Sequence, residues 1–256
     1  MNPLSLLAAF AFGRNPLQPQ PGMADPHVHV WSDGKVWMYA THDTPSSAAA
    51  KIGFEMDNWW VLSSTDLLMW TVEDILWPTT TYEKKNFTQC WATDAAYNGS
   101  HYAFYLSVGP DNIGVVVASQ PQGPWSDPLG KPMIPSGLVA TQGARDPAAF
   151  QDDDGSVYIV FGTFDYFVAK LKSDLVTLAE VPRKIDVISA FGPFGFGKTD
   201  DKAFMHKRFG NKYYLSWGAF YAVGASPYGP FTYVDVLVQN NFTAPSFQRD
   251  DVQIDR

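Results

Sequence analysis

Three segments of this chain share one spacing, and that repetition constrains the fold more than any single motif does. Asp25 precedes Gly34 by nine residues and Trp37 follows the glycine by three; Asp146, Gly155 and Tyr158 keep the same intervals, as do Asp201, Gly210 and Tyr213. A fourth copy retains Gly99 and Tyr102 but brings Asp94 to five residues before the glycine. Each copy reads as strand, tight turn, strand. Asn98-Gly99 and Asp154-Gly155 are hairpin signals, because the favoured two-residue turns need positive φ. The segments after them, Tyr102-Ala-Phe-Tyr-Leu-Ser and Tyr158-Ile-Val-Phe-Gly, are aromatic and β-branched, as buried strands are.

The copies also end alike. Val115 to Ser119 runs to Gly123-Pro-Trp125, and Ala222 to Ser226 runs to Gly229-Pro-Phe231; Val61 to Ser64 and Ala169 to Ser173 lead to Asp66-Leu67 and Asp174-Leu175. Four-stranded units follow. Only Asp66 to Trp70 and Val72 to Leu76 hint at a helical period. The expected fold class is all-β, a β-propeller with four recognisable blades starting near residues 25, 91, 146 and 201.

Composition agrees and excludes several function classes. The chain carries 18 Phe, 12 Tyr and 9 Trp beside 20 Gly and 19 Pro, a mixture suited to aromatic strands joined by turns. Its formal net charge of −8 disfavours electrostatic binding to nucleic acid or to an anionic membrane. A single cysteine, Cys90, cannot build an internal disulfide or a Cys-rich zinc site. Residues 1–21 read as an N-terminal extension or weak signal-like segment, with an apolar run at 4–12 too short to span a bilayer. With sequons at Asn86, Asn98 and Asn241, this points to a secreted protein. Residues 22–256 are expected to form one propeller domain.

In a propeller the innermost strands run along the central axis, so equivalent residues of successive copies converge at one mouth. Asp25, Asp146 and Asp201 are such residues. Carboxylates gathered in a partly desolvated pocket repel one another and separate their titrations, the situation that acid–base chemistry needs. Asp33, Asp153 and Asp154, beside turn glycines, are explained by hairpin chemistry. His27 and His29 are expected to point to opposite faces of one strand and so not to share a metal ion. His206 reads as a structural strand residue.

Ala24-Asp25-Pro26, Trp91-Ala92-Thr93-Asp94, Arg145-Asp146-Pro147 and Phe204-Met205-His206-Lys207 running to Gly210-Asn-Lys-Tyr-Tyr-Leu-Ser-Trp217 together resemble glycoside hydrolase family 43 from about residue 22 to 235. The resemblance implies a five-bladed propeller that hydrolyses arabinose- or xylose-containing plant polysaccharide with inversion. It implies Asp25 as general base and Asp146 as the residue that tunes pKa and orients. The family's acid is a Glu, and Asp201 stands in its place, one methylene shorter, with Lys202 where a small residue is usual. Lys202 there would hold Asp201 ionised. Asp200 is the alternative acid, with Asp201 or Lys202 then binding sugar. His27, Trp91, Arg145, Lys202 and Trp217 are the candidate sugar contacts. No cofactor is required; a structural calcium ion in the central channel is implied, without assignable ligands.

Five copies would need roughly 280–300 residues against the 256 present, so an abbreviated fifth blade or a fragment of a longer protein is expected. The leading expectation is an inverting glycosidase acting on arabinofuranosyl or xylosyl linkages. The alternatives are a carbohydrate-binding pseudoenzyme and a propeller used as an interaction scaffold.

Overall fold

The computed structural model describes residues 22–44, 54–109, 111–139, 143–208 and 210–237. The first repeat folds into β1 (Met23–Val30), β2 (Val36–Asp43), β3 (Met56–Ser64) and β4 (Thr71–Leu76), an antiparallel sheet in chain order. The second supplies β5 (Cys90–Tyr97), β6 (Tyr102–Val108) and β7 (Ile113–Ala118). Val117 and Ser126 exchange backbone hydrogen bonds of 2.8 and 3.0 Å, a one-residue bridge where the first sheet has a fourth strand. The third holds β8 (Ala148–Gln151), β9 (Val157–Phe161), β10 (Phe167–Lys170) and β11 (Arg183–Lys184).

Three short strands follow, β12 (Val187–Ile188) and the pair β13 (Phe191–Gly192) and β14 (Gly195–Phe196), before the fourth sheet. That sheet comprises β15 (Ala203–Arg208), β16 (Lys212–Trp217), β17 (Phe220–Gly224) and β18 (Phe231–Val236). β12 pairs in parallel with β18 and covers an edge that would otherwise present open backbone groups.

These four sheets are the four blades of a propeller, and the packing shows why the sequence alternates as it does. Each hydrophobic cluster lies between two blades. Phe104 and Leu106 of β6 pack against Trp37, Tyr39 and Trp59 of the first blade, whereas Ala103 and Tyr105 pack against Ile159 and Phe161 of the third. Both faces of β6 are therefore covered, and all seven of its residues are buried. A continuous apolar strand is what a two-sided environment demands. The third interface joins Phe150, Tyr158 and Val160 to Met205, Leu215 and Trp217. The innermost strands β1, β5, β8 and β15 follow one another around the axis.

The turns form where the sequence places them. Gly34 and Gly155 sit at φ +75° and +80°, and each amide closes a turn onto the residue three before it, at 3.0 and 2.9 Å. A β-carbon would be strained at either position. The helical hint at residues 66–76 is not realised. Val72 to Leu76 belongs to the outer strand β4, and Asp66 Oδ1 instead accepts the amides of Leu68 and Met69, both at 2.8 Å, in a turn. The only helix among the described residues is a single 3-10 turn at Pro78–Thr80. Of Val236 to Arg256, the stretch left after the fourth blade, only Val236 and Leu237 are described, and the apolar run at 4–12 lies outside the described residues.

Candidate active site

Asp25 and Asp146 hold the same rare backbone conformation. Their φ angles are +49° and +57°, in the left-handed region, and each is followed by a proline. That combination opposes the usual preference of a pre-proline residue for extended backbone, and such strain costs about 1–3 kcal/mol per residue. At Asp25 it is part of a bulge. Ala24 pairs with Thr41 and His27 with Tyr39, so Asp25 and Pro26 stand opposite one residue of β2. Bulges of this kind re-aim a side chain at the rim of a sheet. A second register shift lies between Trp91 and Thr93 at the start of β5, the corresponding point of the next blade.

Asp146 is anchored at both ends. Its amide donates to Ser107 Oγ (2.9 Å), which in turn donates to the carbonyl of Ala92 (2.7 Å). Its Oδ2 accepts Thr163 Oγ1 (3.1 Å), and the same hydroxyl accepts Arg145 Nε (3.0 Å). Burial first, then the nearby charge of Asp25, raises the proton affinity of Asp146; Lys202, Arg145 and the Thr163 hydrogen bond oppose the shift without cancelling it. A carboxyl whose folded pKa is raised binds protons that the unfolded chain has released, so its stability contribution falls as pH rises above the ordinary Asp range. Asp146→Asn should therefore melt at a higher temperature than the wild type at pH 7, and the difference should shrink as pH approaches 4, read by calorimetry. A wild-type chain that melts higher at pH 7 would contradict this.

Lys202 does not simply neutralise its sequence neighbour. Its ammonium, on a residue only 8 % exposed, crosses to the carbonyls of Asp25 (3.2 Å) and Thr93 (3.0 Å), tying the fourth blade to the first two. Two of its three donors are thus engaged with backbone. Asp201 is half-buried just before β15, and its amide donates to Asp200 Oδ1 (2.9 Å). Asp200 is buried; its carbonyl accepts Tyr166 Oη (2.8 Å) and the Phe164 amide (2.9 Å). Asp25, Asp146 and Lys202 are therefore gathered beside one another, next to the Asp200–Asp201 segment.

The sequence model of glycosyl hydrolases family 43 matches residues 14–224. The chain belongs to that family. A xylosidase/arabinosidase of Bacteroides ovatus is 30% identical over 276 aligned positions, covering 87% of this chain and 80% of its own. A beta-xylosidase of Xylanibacter ruminicola is 29% identical, covering 86% and 81%. Among solved structures, a family 43 beta-xylosidase/alpha-arabinofuranosidase from a compost microbial metagenome, in complex with xylotriose, superposes with a TM-score of 0.71 at 28% identity, over 88% of this chain and 80% of that one. A family 43 enzyme from Xanthomonas citri, also with xylotriose, gives 0.70 at 25%, over 86% and 75%.

Within this glycosidase the remaining candidates separate. Arg145 places its guanidinium 5.4 Å from the Trp91 ring and its Nη1 4.0 Å from Asp111 Oδ1. Trp91 is half-buried, and its indole N–H donates to the Phe54 carbonyl (2.8 Å), which leaves ring surface rather than a donor for a sugar. Trp217 is not a sugar contact. It is fully buried between the third and fourth blades, beside Tyr166 and Tyr233, with its N–H donated to the Phe191 carbonyl (3.0 Å). The strand that carries it packs between blades, so its side chain cannot reach the mouth.

His27 and His29 correct a second expectation. Residues two apart on a strand share a face, and both rings meet one carboxylate: His27 Nδ1 lies 2.6 Å from Asp94 Oδ2 and His29 Nε2 lies 2.6 Å from Asp94 Oδ1. His27 is buried, with its edge against Phe204 at 5.2 Å, so it is not an open sugar contact either. The ligand atoms of His27, His29 and Asp94 fall within 4.8 Å of one another. Two imidazole nitrogens and one carboxylate do not fit calcium, which takes six to eight oxygens. The sequence places Asp94 in the fourth copy but not among the candidate site residues, because its offset from the turn glycine differs from that of its counterparts; the His-x-His pair is the signal of a buried partner opposite.

Proposed function

We propose that this chain hydrolyses xylosyl or arabinofuranosyl linkages of plant cell-wall polysaccharide by single displacement with inversion. The observation that carries the reading is the matched pair Asp25 and Asp146, held in one rare conformation at the starts of the first and third repeats, with the charge of Asp25 raising the proton affinity of Asp146. Similarity to xylosidases and arabinosidases supports the choice of sugar.

In this reading Asp25 accepts a proton from water as the water oxygen bonds to the anomeric carbon from the face opposite the leaving group. The glycosidic C–O bond breaks, and the leaving oxygen takes a proton from Asp201, with Asp200 as the alternative donor. Asp146, protonated more readily than an exposed Asp, limits the negative charge beside Asp25. Arg145 orients Asp146 through Thr163, and Trp91 offers ring surface to a sugar face. Inversion requires about 6.5–9.5 Å between base and acid carboxyls to admit the water, a gap that separate blades can supply.

Proton NMR of the first turnovers of 4-nitrophenyl β-xyloside and α-L-arabinofuranoside tests this. The initial free sugar should carry the anomeric configuration opposite to that of the substrate. Retention would overturn the single-displacement mechanism. Binding of xylo-oligosaccharide without turnover would favour the carbohydrate-binding reading, for which the shorter carboxyl at position 201 is the supporting observation.

A further inference from the structure

The Asp94 carboxylate is fully buried, and four donors converge on it from three strands. Oδ1 accepts His29 Nε2 (2.6 Å) and the Ala95 amide (2.7 Å). Oδ2 meets His27 Nδ1 (2.6 Å) and the Ala149 amide (2.6 Å). His27 and His29 belong to β1, Asp94 and Ala95 to β5, and Ala149 to β8. Charge-assisted hydrogen bonds to a buried carboxylate are short and directional, so they fix the strands that supply the donors.

The location of those donors matters. His27 is two residues after Asp25, and Ala149 is three residues after Asp146. Both intervals contain a proline, Pro26 or Pro147, which fixes one backbone angle of the short link. The two carboxylates of the proposed reaction thus hang from stiff links whose other ends are both fastened to Asp94. We infer that Asp94 is a positioning residue for catalysis: it clamps the strand that carries Asp25 and the strand that follows Asp146 to β5, and so sets the separation of the two carboxylates. The fourth acidic residue of the repeat has left the mouth and holds its counterparts in place. This rests on the hydrolase reading above. Misplacement of reacting groups by about 1 Å can cost about 100-fold in rate, so the effect should appear in kcat.

Asp94→Asn keeps the shape of the side chain but loses charge and one acceptor. With 4-nitrophenyl glycosides it should lower kcat about 10- to 100-fold while KM stays within about threefold. A change at a buried carboxylate also lowers stability, so a second pair of variants is made at His29, which is partly exposed and stacks on Trp31 at 4.6 Å. His29→Phe keeps a ring for the stack and removes the hydrogen bond; it should lower kcat per folded molecule, as counted by near-UV circular dichroism. His29→Gln retains a donor and should recover most of that loss. Unchanged kcat per folded molecule in Asp94→Asn and His29→Phe, with only the melting temperature lowered, would reduce Asp94 to a structural residue and overturn the inference. A wild-type chain without hydrolysis would overturn the hydrolase reading itself, and the inference with it.

Discussion

Asp25→Ala is expected to lower kcat by about 1,000-fold, with KM changed less than about threefold and the fold intact. Positioned general acid–base groups contribute about 100- to 10,000-fold, and a factor of 1,000 corresponds to about 4 kcal/mol of transition-state stabilisation. KM should hold because Asp25 would touch water rather than the sugar, so its removal takes away an interaction formed only as the water is deprotonated. Folding should hold because Asp25 gives the scaffold mainly its carbonyl, which Lys202 Nζ reaches at 3.2 Å and which alanine retains. Alanine is also no worse than aspartate as a host for φ +49° by more than a fraction of the strain already present. Steady-state kinetics on 4-nitrophenyl β-xyloside and α-L-arabinofuranoside, with circular dichroism of the purified variant, is the measurement. Undiminished kcat would remove Asp25 from the mechanism.

The second large effect concerns the acid and should depend on the leaving group. Asp201→Ala should slow the cleavage of xylo- or arabino-oligosaccharides, whose alkoxide leaving groups need a proton, by about 100- to 1,000-fold. With 2,4-dinitrophenyl glycosides, which depart as stable phenolates, the loss should be less than about tenfold. Asp200→Ala is the comparison. Asp200 already uses Oδ1 to accept the amide of Asp201, so loss of that side chain should act on both substrates alike through the turn, while alanine keeps the carbonyl that accepts Tyr166 and Phe164. If the dependence on leaving group appears in Asp200→Ala instead, the acid is Asp200. If it appears in neither variant, no acid acts from the start of β15.

The fold was legible because its signals are local. A turn glycine followed by an aromatic residue three positions later, with an aspartate nine positions before it, needs no tertiary information to be read as a hairpin. Repetition of that hairpin left few architectures open. The register between Met23–Val30 and Val36–Asp43, and between Ala203–Arg208 and Lys212–Trp217, follows directly from those turns. Val72 to Leu76 misled because short apolar runs fit either period; pairing with Met56–Ser64 decided for strand.

The amino-acid sequence alone determined the blades, the family resemblance and the equivalent positions of Asp25 and Asp146, since spacing along a chain sets which residues begin equivalent strands. Tertiary structure alone decided where side chains end across blades. It carried Lys202 away to the Asp25 and Thr93 carbonyls, buried Trp217 between two sheets, and brought His27 and His29 together on Asp94. Those partners are 109 residues apart for Lys202 and Thr93, and 65 apart for His29 and Asp94. No local period relates residues so distant; their meeting is fixed by how aromatic side chains fill the space between one blade and the next.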